Sequence, residues 1–336
     1  MAKVTLEDVA RAAGVSVATV DRVVNRRGGV SADKEAAILK AARRLGLDRH
    51  LAIRPTLAKR VAILIQPPSN PFHDQLRQGI EQARAIHRDL NLLFQVEHVD
   101  PARPDLIAAR IARAAAWADG MILTVPAAPQ VVAAIEALPP RIPVVTMADD
   151  VPARTRAAFV GPDDRQSGRV AGDLMGYLIG QGGGEALVLI GRFDMPGHGA
   201  RSGGFIDVLA ERHPAVRVCD VLETHEDKAT AAAMALRAAR ANPDLRGVYL
   251  CTTGCSDLVA ALAPIRRSRP IAIVTHELTP DRRLMLRDRR VQAVIDQKPM
   301  LEARLAVETL ARLIGRLEGE AASIATEIQI VMPESA

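Results

Sequence analysis

Residues 16–25 combine, at helical spacing, a guanidinium, an amide, a carboxylate and small apolar groups. The outward face of this segment is formed by Val17, Ala18, Asp21, Arg22 and Asn25. An arginine can donate two hydrogen bonds to the edge of guanine, and small apolar side chains can contact the thymine methyl group. This set of side chains therefore suits the reading of bases in a DNA major groove, and we predict that Arg22 is the main base-reading residue.

The residues that carry this face predict two short helices joined by a tight turn. Thr5 can cap the first helix with Asp8 as its capping-box partner, and Gly14 can end it in a left-handed conformation. Ser16 is placed to cap the second helix. The apolar stripes consist of Leu6, Val9, Ala10 and Ala13 in the first helix and Val20, Val23 and Val24 in the second. An ordinary helical hairpin is the alternative, but the turn Ala-x-x-Ala-Gly-Val-Ser over residues 10–16 favours a DNA-binding helix-turn-helix.

A third helix is predicted from Ala32 to Leu45, with Ser31 as its cap and Gly46 as its end. Its buried side consists of Ile38, Ala41, Ala42 and Leu45. Three helices make a complete small domain over residues 1–46. Residues 47–60 then form a basic linker, which contains Arg49, His50, Arg54, Lys59 and Arg60, and Pro55 interrupts any continuous helix through it.

The positive charge is concentrated in this N-terminal part. Residues 1–60 contain 13 Lys and Arg against 6 Asp and Glu, whereas the rest of the chain contains 31 basic and 33 acidic residues. The excess of positive charge in the whole chain therefore belongs to the N-terminal segment. A basic module joined to a nearly neutral body indicates phosphate binding at one end and a different task at the other.

Beyond residue 60 short apolar runs alternate with amphipathic helices, as in a parallel sheet whose strands are buried on both faces. The first set of runs covers residues 61–65, 92–96, 121–125 and 142–146, with helices predicted at 75–88 and 104–117. After residues 160–162 the pattern repeats with runs at 186–190, 216–222, 247–251 and 271–275, and 293–296 joins them. Two doubly wound units imply two lobes with a cleft between them, and ligands of such sheets bind at the carboxyl ends of the strands.

Several other function classes lack their sequence features. The chain has no apolar run of 18 residues and no apolar secretory signal at its N-terminus, which predicts a cytoplasmic protein without a membrane partner. It has no phosphate-binding loop and no nucleophile elbow, and Gly182-Gly183-Gly184 precedes a strand as a helix-ending turn. The eight histidines are scattered, and Cys251 and Cys255 suit packing better than redox chemistry. We therefore expect no catalytic residues, no metal and no cofactor.

The N-terminal segment resembles the headpiece of the lactose/galactose repressor family, and residues 61 to about 331 resemble its periplasmic-binding-protein-type core. The motifs that carry the resemblance are the headpiece turn, Asn70-Pro71-Phe72, residues 142–146, the Asp-x-x-Ser-Gly-Arg-x-Ala-Gly-Asp segment at 164–173 and Arg201-x-x-Gly-Phe. The expected fold is an all-α helix-turn-helix headpiece plus an α/β two-lobed core with two doubly wound parallel sheets. We expect domains at 1–46, 47–60 and 61–336, with lobe 1 at about 61–159 plus 297–324 and lobe 2 at about 160–296 plus 325–331.

The resemblance implies a bacterial transcription regulator, a repressor, whose affinity for double-stranded operator DNA is controlled by a small polar effector such as a sugar. It would lie with the nucleoid when bound to its operator. Two alternatives stay open: a cytoplasmic solute sensor without a DNA role, and a regulator of a non-sugar effector such as a nucleoside or purine. A secreted solute receptor on the same core is disfavoured by the lack of a signal sequence and by the fused headpiece. The remaining class is an enzyme on an α/β scaffold, and the sequence lacks the catalytic and phosphate-binding motifs that such an enzyme would need.

The DNA-contacting set is predicted as Thr5, Ser16, Val17, Ala18, Thr19, Asp21, Arg22, Asn25 and Val30. Asp21 departs from the family, which usually has a serine there that can bond a backbone phosphate. A carboxylate would repel phosphate unless it pairs with Arg22 or Arg26 or accepts from a cytosine amino group. The linker also departs, because residues 51–57 match the family's hinge helix poorly and Pro55 disfavours a regular helix there.

The effector site is predicted to contain Asn70, Phe72, His73, Asp149, Phe193, His198, Arg201, His276, Glu277 and Gln297. Asn70 and Phe72 offer an amide for hydroxyl groups and a flat ring for the C–H surface of a sugar, although Phe72 could be a loop anchor instead. Arg201 resembles the family's cleft arginine, against the alternative of a surface helix residue. His276-Glu277 stands where relatives often place an aspartate. Aromatic residues form only 2% of the chain, which favours a polar ligand over a large planar one.

We also expect a homodimer, because two headpieces on a two-fold axis suit near-palindromic half-sites. The segment that ends at Ala336 has no apolar heptads of the kind that makes some relatives tetrameric.

Overall fold

The computed structural model describes residues 4–25, 27–47 and 57–336. Its N-terminal part contains α1 (Leu6–Ala13), α2 (Val17–Val24) and α3 (Ala32–Leu45), as expected. These helices bury Val9, Val20, Val23 and Ile38 against one another. The expected linker interruption at Pro55 lies outside the described residues.

The ends of the first two helices are made by the capping residues that the sequence indicates. The Thr5 hydroxyl accepts from the Asp8 N–H (3.3 Å), and the Asp8 carboxylate accepts from the Thr5 N–H (3.0 Å). Gly14 ends α1 with a φ of 64°, which few residues other than glycine adopt easily. The Ser16 hydroxyl accepts from the Thr19 N–H (3.2 Å). Caps of this kind each stabilise a helix by about 0.5–2 kcal/mol, and they hold the angle between α1 and α2.

The first lobe of the core is a six-stranded parallel sheet with helices on its faces. In chain order its elements are β1 (Lys59–Ile65), α4 (Pro71–Ile86), β2 (Leu92–His98), α5 (Pro104–Ala114), β3 (Gly120–Leu123), α6 (Pro129–Glu136), β4 (Val144–Met147), β5 (Ala158–Pro162), α12 (Pro299–Leu313) and β11 (Ile324–Thr326). The strand order is β11-β5-β4-β3-β1-β2. The expectation that every strand is buried on both faces is wrong for β2, because it lies at the sheet edge and Leu93 is 51% exposed.

The second lobe repeats this architecture. It contains α7 (Asp164–Ile179), β6 (Gly184–Ile190), α8 (Pro196–Arg212), β7 (Val216–Glu223), α9 (Lys228–Ala241), β8 (Leu245–Leu250), α10 (Cys255–Leu262), β9 (Ala272–His276), α11 (Pro280–Arg287), β10 (Ala293–Asp296) and β12 (Gln329–Val331). The strand order is β12-β10-β9-β8-β6-β7, and only β12 runs antiparallel, to β10. Two doubly wound sheets in one chain confirm the expected fold class.

The chain crosses between the lobes three times: between β5 and α7, between β10 and α12, and between β11 and β12. The first crossing comes later than the expected boundary at 159/160, because β5 stays in the first sheet as far as Pro162. Helix α4 begins at Pro71, earlier than the expected residue 75, because the Asn70 side chain caps it by accepting from the Phe72 N–H (3.1 Å). Pro71 then occupies the first helical position, where proline is favoured.

Helices α7 and α8 approach so closely that glycine is needed at their contact. A Cβ atom at Gly168 would lie 2.0 Å from the carbonyl oxygen of Arg201, and one at Gly204 would lie 2.1 Å from that of Arg165. The contact fixes the start of α8, and with it Arg201, against the start of α7. Among the described helices, none is long and apolar enough to cross a membrane.

Candidate ligand cleft and nucleic-acid interface

A narrow cleft with a cavity volume of about 50 Å³ lies where the carboxyl ends of the strands of the two sheets face each other. Eight of the ten predicted effector residues line it: Asn70, Phe72, His73, Asp149, His198, Arg201, Glu277 and Gln297. Residues that are up to 227 positions apart in the chain, Asn70 and Gln297, therefore meet at one place.

The first lobe contributes the start of α4. The Nδ2 atom of Asn70 lies 3.4 Å from Oε2 of Glu226 in the second lobe, so this amide reaches across the cleft. The Phe72 ring packs edge-on against the His73 ring, with centroids 5.3 Å apart. His73 is buried, and its Nδ1 accepts from the Gln66 N–H (3.2 Å). Burial lowers the pKa of His73 to about 3, so this imidazole is neutral and supports Phe72.

The second lobe contributes a continuous network of buried polar groups. Arg201 donates through Nε to Asp164 (2.7 Å) and through Nη2 to Gln297 (3.0 Å). Gln297 in turn donates to Oε1 of Glu277 (2.8 Å), and Arg282 donates to Oε2 of the same carboxylate (3.1 Å). Side chains from α8, α7, α11 and the ends of two strands thus hold one another in place. Such a network is rigid and presents preorganised donors and acceptors to a ligand.

Burial controls the charge states in this network. It raises the pKa values of Asp149 and Asp164, and the nearby Arg201 opposes both shifts. For Arg201 burial acts against the charge, but Asp164 and Glu277 together raise its pKa above the usual value. Arg201 is therefore a permanent cation, and Asp164 is the carboxylate that compensates it.

His198 lies beside the network at the start of α8. Its Nδ1 accepts from the Arg192 N–H (3.0 Å), and burial lowers its pKa. Its Nε2 lies 3.8 Å from Oε1 of Glu226. The ring is consequently a neutral group with its remaining nitrogen directed to the Glu226 carboxylate.

Two predicted effector residues do not line the cleft. Phe193 is 56% exposed, because its loop turns outward where its N–H donates to Glu223 (2.8 Å). His276 is buried behind the cleft, with Nε2 2.6 Å from the Tyr249 hydroxyl. Successive residues at a strand end point to opposite sides, so Glu277 faces the cleft and His276 does not.

Several residues that line the cleft are absent from the predicted set. Glu226 follows β7 and Thr252 follows β8, so the strand-end rule that selected Glu277 could have found them. Gln66 directly follows β1 in the same way. Arg282 could not have been found by this rule, since it lies inside α11 and is held at the cleft by its bonds to Glu277 and the Thr252 carbonyl (3.2 Å).

The loops that carry these residues hold an unusual backbone conformation. Ala148, Glu226, Glu277 and Lys298 all have positive φ, between 53° and 65°. For residues other than glycine this conformation costs about 1–3 kcal/mol each and is found most often at functional sites. Each of the four lies within three residues of the end of a strand. Ala148, Glu226 and Glu277 line the cleft, and Lys298 directly follows Gln297, which also lines it.

The recognition face of α2 is exposed as expected. Val17, Ala18, Arg22 and Asn25 are open to solvent, whereas Val20 and Val23 are buried. Thr5 and Ser16 are exposed but serve as helix caps, and the Thr19 hydroxyl lies 2.7 Å from that of Ser16. Val30 is half-buried and packs against the core of the three helices.

Asp21 has a different partner from those expected. Its carboxylate accepts from Nη1 of Arg27 (2.9 Å) and from the Asn25 amide (2.6 Å), not from Arg22, and Arg26 lies outside the described residues. Arg22 is one residue away along the helix and points outward, while Arg27 can fold back from beyond the helix end. Arg27 thus offsets the negative charge that Asp21 would present to a phosphate.

Buried thiols in the second lobe serve packing. Burial raises the pKa of Cys251 to about 12 and also raises that of Cys255, so neither is a ready nucleophile. No group of three or more His, Cys, Asp or Glu side chains in the described part of the chain is arranged to hold a metal ion.

Two family descriptions match this sequence in adjacent segments. Residues 61–320 match "Periplasmic binding protein domain", and residues 5–48 match "Bacterial regulatory proteins, lacI family". Among curated proteins, the ribose operon repressor of Halalkalibacterium halodurans is 34% identical over 124 residues, which cover 36% of this chain and 36% of the repressor. The sucrose operon repressor of Lactococcus lactis subsp. lactis is 36% identical over 31% of this chain and 34% of its own. The matches thus span about a third of these relatives.

Solved structures share the fold of the core. A glucose-galactose binding protein from Geobacillus stearothermophilus superposes with a TM-score of 0.73 at 19% identity, over 83% of this chain and 98% of that one. A solute binding protein of Burkholderia graminis in complex with D-arabinose gives a TM-score of 0.71 at 22% identity, over 82% and 96%. At these identities the likeness is one of fold.

Proposed function

We propose, since the chain belongs to the periplasmic binding protein domain family and carries a lacI-family regulatory domain ahead of it, that it is a transcription repressor whose DNA affinity is set by a small polyhydroxylated effector. The observation that carries this proposal is the combination, in one chain, of an exposed recognition helix with a closed polar cleft between two lobes. The relatives named as ribose and sucrose operon repressors support the same function.

The headpiece supplies the DNA-binding half. The exposed face of α2 carries the Arg22 guanidinium together with the small apolar residues Val17 and Ala18. The basic excess of residues 1–60 supplies phosphate contacts that position this face without reading sequence.

The cleft supplies the effector-binding half. Its lining is rich in paired donors and acceptors and contains one aromatic ring besides imidazole, that of Phe72. A sugar or polyol needs this combination, because its hydroxyls each donate and accept while one face is apolar. A large planar ligand such as a purine would gain most from several stacking rings, and the lining supplies one besides imidazole, so the sugar is favoured.

Closure of the cleft would connect the two halves. Asp149 in the first lobe accepts from the Gly197 N–H in the second (3.2 Å), and Asn70 reaches Glu226. An effector that binds better to one lobe arrangement shifts the balance between the two, and a coupling of about 1–3 kcal/mol changes DNA affinity about 5–150-fold. We expect the shift to act by altering the spacing of two headpieces in a homodimer.

The proposal is tested with the full chain. DNA fragments are selected from a random pool by the protein, and the retained sequences are then challenged with a panel of sugars in a gel-shift assay. We expect the selected DNA sequences to share a near-palindromic consensus. We also expect at least one sugar to change the affinity of the protein for this DNA, either by releasing it or by retaining it more tightly. Retention of the pool without any sequence preference would contradict the repressor function.

Light scattering at micromolar concentration tests the assembly, for which we expect twice the mass of one chain. Fractionation of the native host tests the location, for which we expect the cytoplasm with a nucleoid-bound share.

A further inference from the structure

The charged groups at the cleft do not balance. Arg201 pairs with Asp164 (2.7 Å), and Arg282 pairs with Glu277 (3.1 Å). Each guanidinium thus has a carboxylate of its own. Two further carboxylates, those of Asp149 in the first lobe and Glu226 in the second, also line the cleft.

Asp149 and Glu226 have only neutral hydrogen-bond partners among the described residues. Asp149 accepts from the backbone N–H of Gly197 (3.2 Å). Glu226 accepts from the Asn70 amide (3.4 Å), lies beside the Thr252 hydroxyl and faces His198 at 3.8 Å. His198 is neutral, because burial lowers its pKa. Arg201 attracts Asp149 but is already bonded to Asp164, and burial raises the pKa values of both Asp149 and Glu226.

A third group in the cleft has an unused acceptor. Thr252 is only 6% exposed and lines the cleft beside Glu226, and its hydroxyl oxygen accepts no hydrogen bond from any described residue. A buried oxygen that accepts no hydrogen bond is unfavourable, so a ligand donor beside it would gain a substantial interaction. Two carboxylates and one hydroxyl oxygen supply three acceptors, and an ammonium group has three N–H donors.

Resting on the function proposed above, we propose that the effector carries a protonated amine as well as hydroxyl groups, so that its class is amino sugars or amino polyols. The amine lies between Asp149 and Glu226 with Thr252 as its third acceptor. Asn70, Gln297 and the unbonded Nη1 of Arg201 bind the hydroxyls. Binding brings the carboxylates of the two lobes onto one cation, which favours the closed cleft. The same surplus of negative charge disfavours sugar phosphates.

The test is calorimetric titration of the full chain with matched pairs: D-glucosamine and D-glucose, D-galactosamine and D-galactose, D-mannosamine and D-mannose. N-acetylated forms of the three amines serve as uncharged analogues. We expect at least one amine to bind about tenfold or more tightly than its hydroxyl and N-acetyl counterparts, as suits a hydrogen bond to a charged group.

Two variants test whether Asp149 and Glu226 cause the preference for the amine. Asp149→Asn and Glu226→Gln keep the shape of each side chain and remove its charge, so each should reduce the preference for the amine to about threefold or less. Glu223→Gln is the matched control, since Glu223 ends the same strand that leads to Glu226 but bonds the Phe193 N–H outside the cleft. It should leave the preference unchanged.

The outcomes separate this inference from the function on which it rests. If the neutral sugars bind as tightly as the corresponding amino sugars, the effector does not require an amine, and the proposed repressor function is unaffected. If neither the neutral sugars nor the amino sugars bind, both the proposed polyhydroxylated effector and its amine are wrong. An amine preference that survives in both Asp149→Asn and Glu226→Gln also contradicts the assignment.

Discussion

At the scale of single residues, the chemistry of this protein depends on which charges have partners. Asp21 would repel DNA, but Arg27 and Asn25 bind its carboxylate. Arg22 is left to face outward alone. In the cleft, by contrast, Asp149 and Glu226 form no ion pair with an arginine or lysine among the described residues. The residue types alone do not show which carboxylates are paired, since aspartate and arginine occur both in the headpiece and in the cleft.

Arg22→Ala should remove the preference for one base pair of the selected site, because it deletes a bidentate contact worth about 1–3 kcal/mol of discrimination. Arg27→Ala should instead weaken binding to all sequences similarly, because it exposes the charge of Asp21 to the phosphates. Gel-shift titrations of both variants against single-base variants of the site measure this. Unchanged base preference in Arg22→Ala would show that another residue reads the base.

Glu302 should make stability depend on pH. It is fully buried in α12, accepts from the Thr326 hydroxyl (3.0 Å), and burial raises its pKa well above the usual value. The folded state therefore holds a proton that the unfolded state loses, so the contribution of Glu302 is complete below the unfolded pKa and is lost as pH rises towards the folded pKa. The loss is about 1.4 kcal/mol for each pH unit between the two pKa values.

Glu302→Gln mimics the protonated form and should match the original protein at pH 4 but exceed its stability at pH 8. Denaturant unfolding at the two pH values gives the difference, with the exposed Glu320→Gln as control. A Glu302→Gln variant whose relative stability does not rise with pH would mean that Glu302 is ionised in the fold.

At the scale of elements, the start of α8 decides how closely the lobes can approach. A Cβ atom at Gly197 would lie 2.5 Å from Oδ2 of Asp164 and 2.7 Å from Oδ1 of Asp149. Gly197 also donates its N–H to Asp149. Two positions further along the same helix, a Cβ at Gly199 would meet nothing within 4 Å.

Gly197→Ala should therefore hold the cleft open and abolish effector binding, whereas Gly199→Ala should bind normally and gain about 0.5–1 kcal/mol from better helix propensity. Calorimetric titration with a sugar that binds the original protein, together with thermal unfolding, compares them. Equal affinity in the two variants would show that Asp149 need not approach Gly197.

At the scale of the whole molecule, buried polar bonds tie together the three crossings between the lobes. Arg201 bonds Asp164, just after the first crossing, and Gln297 in the second. Glu302, at the start of α12, bonds Thr326 at the third. A rotation of one lobe against the other must strain or rearrange these bonds, so the hinge favours a small number of discrete arrangements.

Arg201→Met should lower the free energy of unfolding by about 3–5 kcal/mol, because it leaves Asp164 buried without its cation. Adding Asp164→Asn should restore a large part of this loss. Denaturant unfolding of the single and double variants measures both steps. Additive losses in the double variant would show that the two residues act separately and do not lock the hinge.

Local chemistry in the sequence determined the elements of this protein. Caps such as Thr5 and Ser16, apolar runs and helix-ending glycines act on their near neighbours, so α1–α3 and most strands of the core follow from the sequence and are confirmed. The family resemblance predicted Asn70 and Arg201 as cleft residues, and the position after a strand predicted Glu277; the structure brings the three to one cleft, and their role as effector ligands stays a prediction. The tertiary structure decided what depends on distant neighbours: that Glu277 faces the cleft while His276 bonds Tyr249, that Phe193 turns away, and that Arg282 joins from α11. It also decided which carboxylates lack a cation, because pairing and burial are set by residues from other elements and not by spacing along the chain.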